Sequence, residues 1–281
     1  MNAKIILAIL VLSLASMACG FTVNFPNRPQ AGPEVKESIT VQDPKSEQTR
    51  LSISLGAGKL KLSPGAGNLV DGAVIYNVES LKPEVIEAGS NIEIKQGNLT
   101  SLPPFKDIKN EWDLKLGDMP MDLVISAGAY EGRIELGGLA LRSLTVKDGA
   151  SNVDLSFSRS NTIDMSILQY TTGASDVKLT GLANANFSTL TFSGGAGNFT
   201  LDFSGDLKKD GVVTIDSGLG NVSLIIPQNI NARVTVDSAA VNINHGSGWN
   251  QNGKDYTQQG EGPTLTFVVK MAAGNLLMSN D

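Results

Sequence analysis

One short pattern occurs four times between residues 144 and 224, and this stretch decides the fold. The copies are LTVKDGASNVDL at 144–155, LQYTTGASDVKL at 168–179, LTFSGGAGNFTL at 190–201 and VTIDSGLGNVSL at 213–224. Each copy contains an alternating segment, a corner of small residues closed by Asn or Asp, and a second alternating segment. The Asn or Asp positions lie 24, 22 and 23 residues apart, a spacing that is typical of a structural repeat.

The alternation within each copy predicts β-strands. Leu144 and Val146 fall on one face of such a strand, as do Val153 and Leu155, and the polar residues between them fall on the other face. Glycine and Asx residues at the corner tolerate the backbone conformations that a tight bend needs. The sequence therefore predicts an all-β protein, a single-stranded β-solenoid or β-helix-like stack of roughly 22-residue coils with an N-terminal β cap.

Further copies extend the repeat in both directions. Residues 234–243 and 267–276 keep the pattern downstream, the second after an insertion, and residues 123–131 carry a weaker copy upstream. A lone early copy, LSISLGAGKL, occupies residues 51–60. We therefore expect an N-terminal β unit at residues 39–121 that covers the first coil, followed by a C-terminal repeat β-solenoid at residues 122–281.

The N-terminus has the features of a bacterial lipoprotein signal. Residues 1–18 combine Lys4, an apolar run and small residues before Cys19, the only cysteine of the chain. These features predict a signal peptide at 1–18, lipidation of Cys19 and a proline-containing tether at residues 19–38. The alternative is ordinary signal-peptidase cleavage, because Ser16 stands where lipoprotein signals usually carry Leu.

Composition narrows the classes of function. Of the 281 residues, 41% are hydrophobic but only 5% are aromatic, and 30 are glycine, which favours thin coils with small corners over a large aromatic-lined pocket. The net charge is −6, and no basic patch stands out, so we expect no nucleic-acid partner. No stretch after the signal peptide is long and apolar enough to cross a bilayer as a helix.

Several motifs together resemble the toast-rack family of bacterial envelope proteins. They are the segment GAGKL at 56–60, Tyr76-Asn77, Pro83, WDLKL at 112–116, and the serial Gly-Ala-x-Asn-Val corners. The resemblance covers residues 39–281 and implies a surface- or membrane-tethered β-solenoid related to LiaF-like stress regulators and to adhesin-like proteins. It implies no catalytic residues. LiaF-like proteins carry transmembrane helices before this domain, whereas this chain carries a lipoprotein signal.

The most regular polar feature is a row of Asx residues, one at each corner. We interpret this row as corner chemistry and amide stacking rather than as a set of cation or sugar ligands. Its members are Asn152, Asp176, Asn198, Asn221, Asn242 and Asn275. Calcium-binding nonapeptide and EF-hand motifs do not occur in the sequence, and we expect no metal and no cofactor.

The sequence predicts no catalytic site. Glycosidic cleavage needs two carboxylates across a groove, and the outward positions Asp154, Asp176 and Asp202 could supply such a pair only by chance. His245 is the only histidine, which excludes a two-histidine metal site, and we expect it to be an exposed loop residue. Trp249 and Tyr256 are expected to fold back over the last coil, with contact to a carbohydrate or protein as the alternative.

These features predict a lipid-anchored, extracytoplasmic, non-catalytic interaction or scaffold module of the bacterial cell envelope. Its partners would be the membrane, through the anchor on Cys19, and a cell-wall glycan or another envelope protein. The alternatives are an envelope-stress sensor of the LiaF type and, less favoured, a carbohydrate-active enzyme.

Overall fold

The computed structural model describes residues 31–97 and 108–280, so the predicted signal peptide at 1–18 and Cys19 lie outside the described residues. The described residues form sixteen β-strands and two short 3-10 helices, Glu79–Leu81 and Leu182–Ala185. The strands are β1 Val35–Val41, β2 Thr49–Pro64, β3 Val70–Tyr76, β4 Pro83–Ala88, β5 Asn91–Gln96, β6 Asn110–Leu116, β7 Met121–Glu135, β8 Leu141–Lys147, β9 Ala150–Ser156, β10 Met165–Thr180, β11 Phe187–Asp202, β12 Gly211–Ile225, β13 Asn231–His245, β14 Asn250–Asn252, β15 Asp255–Gln258 and β16 Thr264–Ser279. The all-β prediction is confirmed. No helix in this part of the chain is long and apolar enough to cross a membrane.

The repeats pair as parallel strands in register. Strand β10 pairs with β11 from Met165↔Phe187 to Leu179↔Leu201, and β11 pairs with β12 in the same manner. Each repeat has a first half before its corner and a second half after it. In one copy the two halves are the separate strands β8 and β9, and both pair with β10.

The inward positions of the repeats form the core. Leu144 lies beside Leu168, and Leu168 lies beside Leu190 in the register, and each of these side chains is at most 1% exposed. Larger rings join them, for example Phe192, which stacks near Tyr170 with 5.7 Å between ring centroids. The alternation in the sequence therefore corresponds to one continuous apolar interior.

Glycine at the corners is required by the close approach of neighbouring strands. Gly220 has a φ of +134°, and a β-carbon on it would lie 1.9 Å from the carbonyl oxygen of Gly197 on the preceding repeat. A β-carbon on Gly173 would lie 2.3 Å from the carbonyl oxygen of Gly149. Since both obstacles are backbone atoms, a side chain at these positions would force the strands apart.

The N-terminal strands belong to the same sheet as the repeats. The early copy lies in β2, which pairs in parallel with β7 along its length, including Ala57↔Ala129. The other edge of β2 is covered by β5 and β6, and β3 and β1 follow β6 as antiparallel strands. Strand β1 begins at Val35, which falls within the predicted tether. The strand packs on the core through its alternating residues Ile39 and Val41, which are buried.

The spatial order of the last repeats differs from their order in the chain. Strand β16 lies between β12 and β13, with Asn221↔Asn275 on one side and Asn242↔Asn275 on the other. The chain thus leaves one place open after β12, forms β13 and a hairpin, and returns to fill that place. The repeat pattern in the sequence does not by itself predict this order.

The insertion at residues 245–262 is a hairpin that covers part of the last strand. Strands β14 and β15 are antiparallel around Gly253, and β15 pairs with the first half of β13 from Ala232↔Gln258 to Thr235↔Asp255. Trp249 is 7% exposed and Tyr256 is 3% exposed, and both belong to the hydrophobic core. Both aromatic residues therefore fold back against the last repeat, as predicted.

Candidate functional site

The candidate site is the outward surface of the second halves of the repeats, which we name the outer polar face. It comprises three parallel rows of side chains that cross the sheet at right angles to the strands. The first row carries the Asx residues, and at the N-terminal end it continues into charged residues through Asn152↔Glu131 and Glu131↔Lys59. The second row continues in the same way through Asp154↔Arg133 and Arg133↔Lys61.

The charged end of the outer polar face forms a groove of about 810 Å³. Strands β1, β3, β6, β2 and β7 contribute to it, and small residues of β3, Gly72 and Ala73, lie in its lining between the longer side chains. Its charged residues are Lys36, Lys59, Lys61, Lys115, Arg133, Asp71, Glu111, Asp113 and Glu131.

The carboxylates of the groove are already engaged by neighbouring groups. Lys61 donates to Asp113 at 3.0 Å, and Glu131 lies 3.9 Å from Lys59 and 3.7 Å from Arg133. Asp71 accepts hydrogen bonds from Gly67 and Asn68 at 2.8–3.2 Å.

Hydrogen bonds from the side chain and backbone of Asn68 lower the pKa of Asp71 below its ordinary value. The carboxylate of Asp71 is therefore held in its charged form and accepts bonds from its own turn. It has little capacity left for a ligand.

The cations of the groove are more loosely held than the carboxylates. Lys36 and Lys115 make no ion pair among the described residues, and the side chains of Lys59 and Arg133 are 60% and 76% exposed. Ion pairs this exposed are worth about 0–1 kcal/mol each. The side chains of the groove that remain available to a ligand are therefore cations, although the protein as a whole carries a net negative charge.

At its other end the outer polar face carries a chain of amides. Asn198 donates to Asp176, Asn221 donates to Asn198, and Asn275 donates to Asn221, each at 2.7 Å. Asn242 donates to Asn275 at 3.5 Å. Every amide group donates toward the N-terminal end, and Asp176 is the final acceptor. The interpretation of the Asx row as stacked amides holds for these five residues, whereas Asn152 makes no such bond in the described part of the chain.

The three carboxylates considered for glycosidic cleavage are separated by the register. Asp154 lies beside Lys178, Asp176 terminates the amide chain, and Asp202 accepts a hydrogen bond from the backbone of Ser204 at 2.8 Å. Asp176 lies in the first row of the outer polar face, Asp154 in the second, and Asp202 in the third, beside Ile225 of β12. They therefore do not face one another across a groove.

A second polar group lies at the corner between β8 and β9 and was not anticipated from the sequence. Asp148 accepts a hydrogen bond from Tyr170 at 2.8 Å and another from Thr172. The Ser175 hydroxyl lies 2.6 Å from the Thr172 hydroxyl and donates to it, because the one proton of Thr172 is directed to Asp148. The buried hydroxyl of Tyr130 lies close to Asp148 and Tyr170. Burial, reinforced by the charge of Asp148, raises the pKa of both tyrosines.

Two further expectations concern His245 and metals. His245 is exposed, as expected, but it ends strand β13 rather than lying in a loop, and its ring is 5.5 Å from that of Tyr256. Within residues 31–97 and 108–280, no three His, Cys, Asp or Glu residues are grouped so that they could hold a metal ion.

Comparison with known sequences places the repeat in a described domain type. Residues 30–167 and 160–225 match the N-terminal domain of toast_rack. Among curated proteins, no sequence matches this chain.

Comparison with solved structures finds similar folds at low sequence identity. A candidate cell adhesion protein from Clostridium sporogenes is 20% identical, with a TM-score of 0.50 over 88% of this chain and 99% of its own. A candidate adhesin from Bacteroides fragilis is 10% identical, with a TM-score of 0.35 over 90% of this chain and 99% of its own. At these identities the first likeness concerns the fold alone, and the second carries no argument.

Proposed function

This chain belongs to the toast-rack family, and we propose that it is a non-catalytic binding module of the bacterial cell envelope, anchored by a lipid on Cys19. The observation that carries the binding role is the groove of the outer polar face, where the carboxylates are engaged and two of the five cations, Lys36 and Lys115, make no ion pair among the described residues. The ligand would be an anionic polymer of the cell wall, contacted through its phosphate or carboxylate groups.

The shape of the sheet supports binding to a repeating polymer. Parallel strands in register place equivalent side chains about 4.8 Å apart, so the outer polar face presents outward-facing polar side chains at regular intervals. We propose that the paired repeats wind as coils of a β-solenoid of roughly 22 residues each, which would keep this face straight and stiff. A stiff face binds at a lower entropic cost than a mobile loop.

The groove is tested with purified cell walls and purified protein. The variant Lys36→Ala/Lys115→Ala removes the two cations of the groove that make no ion pair among the described residues, and because both residues are exposed the fold should be retained. We expect the amount of protein that sediments with the walls to fall at least fivefold, and wild-type binding to weaken as salt is added. The matched control is Lys95→Ala/Lys147→Ala. It removes two lysines that lie away from the groove, on strands that pair with the first halves of β2 and β7.

Equal sedimentation of the two double variants would refute binding through the groove. Release of reducing ends from the walls by the wild-type protein would refute the non-catalytic part of the proposal. Either result would leave the anchoring of the chain as a separate question.

The anchor is tested by intact mass of the mature protein extracted from membranes. We expect a diacylglycerol-modified Cys19 as the first residue, and we expect Cys19→Ala to be lost from the membrane fraction. A mature chain that begins at an unmodified Cys19 would contradict the anchor. The protein would then be a released binding module.

A further inference from the structure

The C-terminal end of the stack is only half covered. The hairpin β14–β15 pairs with the first half of β13, and its last backbone hydrogen bond with that strand runs from the Val236 N–H to the Lys254 carbonyl at 2.9 Å. The second half of β13, Ala240–His245, pairs with β16 on one side. Among the described residues no strand pairs with its other side.

Backbone groups of this half-strand point away from the sheet. The N–H of Gly246 donates to Met278 on β16 at 2.9 Å. Because successive residues of a strand direct their backbone groups to opposite sides, the N–H and carbonyl groups of Val241, Ile243 and His245 face the open edge. An open edge of this kind is a template for another strand.

The open edge lacks the charges that two other edge strands, β1 and β4, carry. Strand β1 carries Lys36 and Glu37, and strand β4 carries Glu84 and Glu87. Charged residues on an edge strand oppose pairing with another chain. The segment AVNINH at 240–245 has no Asp, Glu, Lys or Arg, so this edge offers no such opposition.

The segment is nearly symmetric about Ile243, with an Asn on either side and an uncharged residue beyond each. An antiparallel strand related by a twofold axis at Ile243 would place Ile243 opposite the same residue of the second copy. Asn242 would lie opposite Asn244 of the second copy, and Val241 opposite His245. The three outward-facing residues of each copy could then form six backbone hydrogen bonds across the axis.

The amide chain of the outer polar face supports the same arrangement. Its direction leaves the side-chain oxygen of Asn242 as an acceptor at the open end, since Asn242 donates toward Asn275. An Asn opposite it would donate to that oxygen and continue the chain of amides into a second copy. We propose that the open edge Ala240–His245 binds a second copy of this chain, as a twofold antiparallel strand pair.

The proposal is tested by the solution mass of the full chain over a range of concentrations. Asn242→Asp/Asn244→Asp would place carboxylates opposite each other across the twofold axis, at positions whose side chains are exposed. We expect the wild-type chain to form a dimer, and the two carboxylates to raise the dissociation constant at least tenfold, because like charges face each other directly. Asn242→Lys/Asn244→Lys should have the same effect alone, and an equal mixture of the two variants should restore the dimer.

The matched control places the same two carboxylates at the equivalent register positions three strands away, with Asn198→Asp/Thr200→Asp. We expect this variant to dimerise like the wild type. A wild-type chain that stays monomeric at all concentrations would overturn the proposal and leave a foreign strand as the occupant of the edge. A dimer that survives both Asn242→Asp/Asn244→Asp and the control change would also overturn it, because the contact would then lie elsewhere.

Discussion

The corner glycines offer the sharpest test of the close parallel pairing of the repeats, and Gly220→Ala is the most informative change. The φ of Gly220 is +134°, where an L-residue is strained, and the added β-carbon would lie 1.9 Å from the Gly197 carbonyl oxygen and 2.9 Å from its carbon. Backbone strain of this kind costs about 1–3 kcal/mol. Forcing extra atoms into a packed site costs about 1–3 kcal/mol more.

We therefore expect Gly220→Ala to lower the free energy of unfolding by about 4 kcal/mol, or roughly 8–16 °C in melting temperature for a chain of this size. Unfolding can be followed by tryptophan fluorescence, because Trp112 and Trp249 are both buried. The control is Gly253→Ala in the hairpin turn, where φ is +62° and no atom lies within 4 Å of the added carbon. That change should cost only about 1–2 kcal/mol. If Gly220→Ala costs no more than the control, the close approach between these strands is not present in solution.

Three other changes test the polar groups. Asn110→Leu should lower the free energy of unfolding in urea by about 2–4 kcal/mol, because it leaves Trp112 Nε1, now bonded at 2.8 Å, without its acceptor; a loss below about 0.5 kcal/mol would contradict this. Tyr130 and Tyr170 keep their protons in the folded state at pH values where the unfolded chain ionises, so stability should fall above pH 10 by up to about 1.4 kcal/mol per pH unit for each residue. Replacing both by Phe should flatten that decline in urea titrations between pH 10 and 11, and an unchanged slope would count against it. Asn221→Ala should cost less than about 1.5 kcal/mol by the same assay, because its amide bonds are exposed; a larger cost would mean that the amide chain stabilises the stack.

Much of the fold could be predicted from the sequence because the copies of the repeat share the same alternation of apolar and polar residues. The alternation of Leu144, Val146, Val153 and Leu155 defines the inward face, and the same positions are buried in the structure. The Asx spacing likewise aligned the copies that pair in register. An alternating pattern of this kind depends only on which face of a strand is buried. It can therefore be recognised in a single sequence, without knowing which strands are neighbours.

The order of the last strands could not be predicted in the same way. A repeat pattern identifies the copies but not which copies are neighbours, and the hairpin insertion allowed the chain to return between β12 and β13. One signal was available. Gly274 precedes Asn275 as Gly220 precedes Asn221, whereas Val241 occupies that position in β13. A β-carbon on Gly274 would lie 1.8 Å from the Gly220 carbonyl oxygen, so the shared glycine marks strands that lie in contact.

The charged groove was missed because its residues come from distant parts of the chain. Lys59, Glu111 and Glu131 are separated by up to 72 residues in sequence, and only the pairing of β2 with both β6 and β7 brings them side by side. The sequence shows no basic run, since four of the five strands contribute one or two cations each and β3 contributes none. The polar group around Asp148 was missed for the same reason, because Tyr130 and Tyr170 lie on different repeats.

The most direct test of the account is lysine footprinting of the protein while it is bound to purified cell walls. Acetylation of each lysine would be measured by mass spectrometry with and without walls. Binding through the outer polar face predicts that Lys59, Lys61 and Lys115 are protected, while Lys95 and Lys147 react as before. Equal protection of all five lysines, or protection of Lys95 and Lys147 alone, would contradict the assignment of binding to this face.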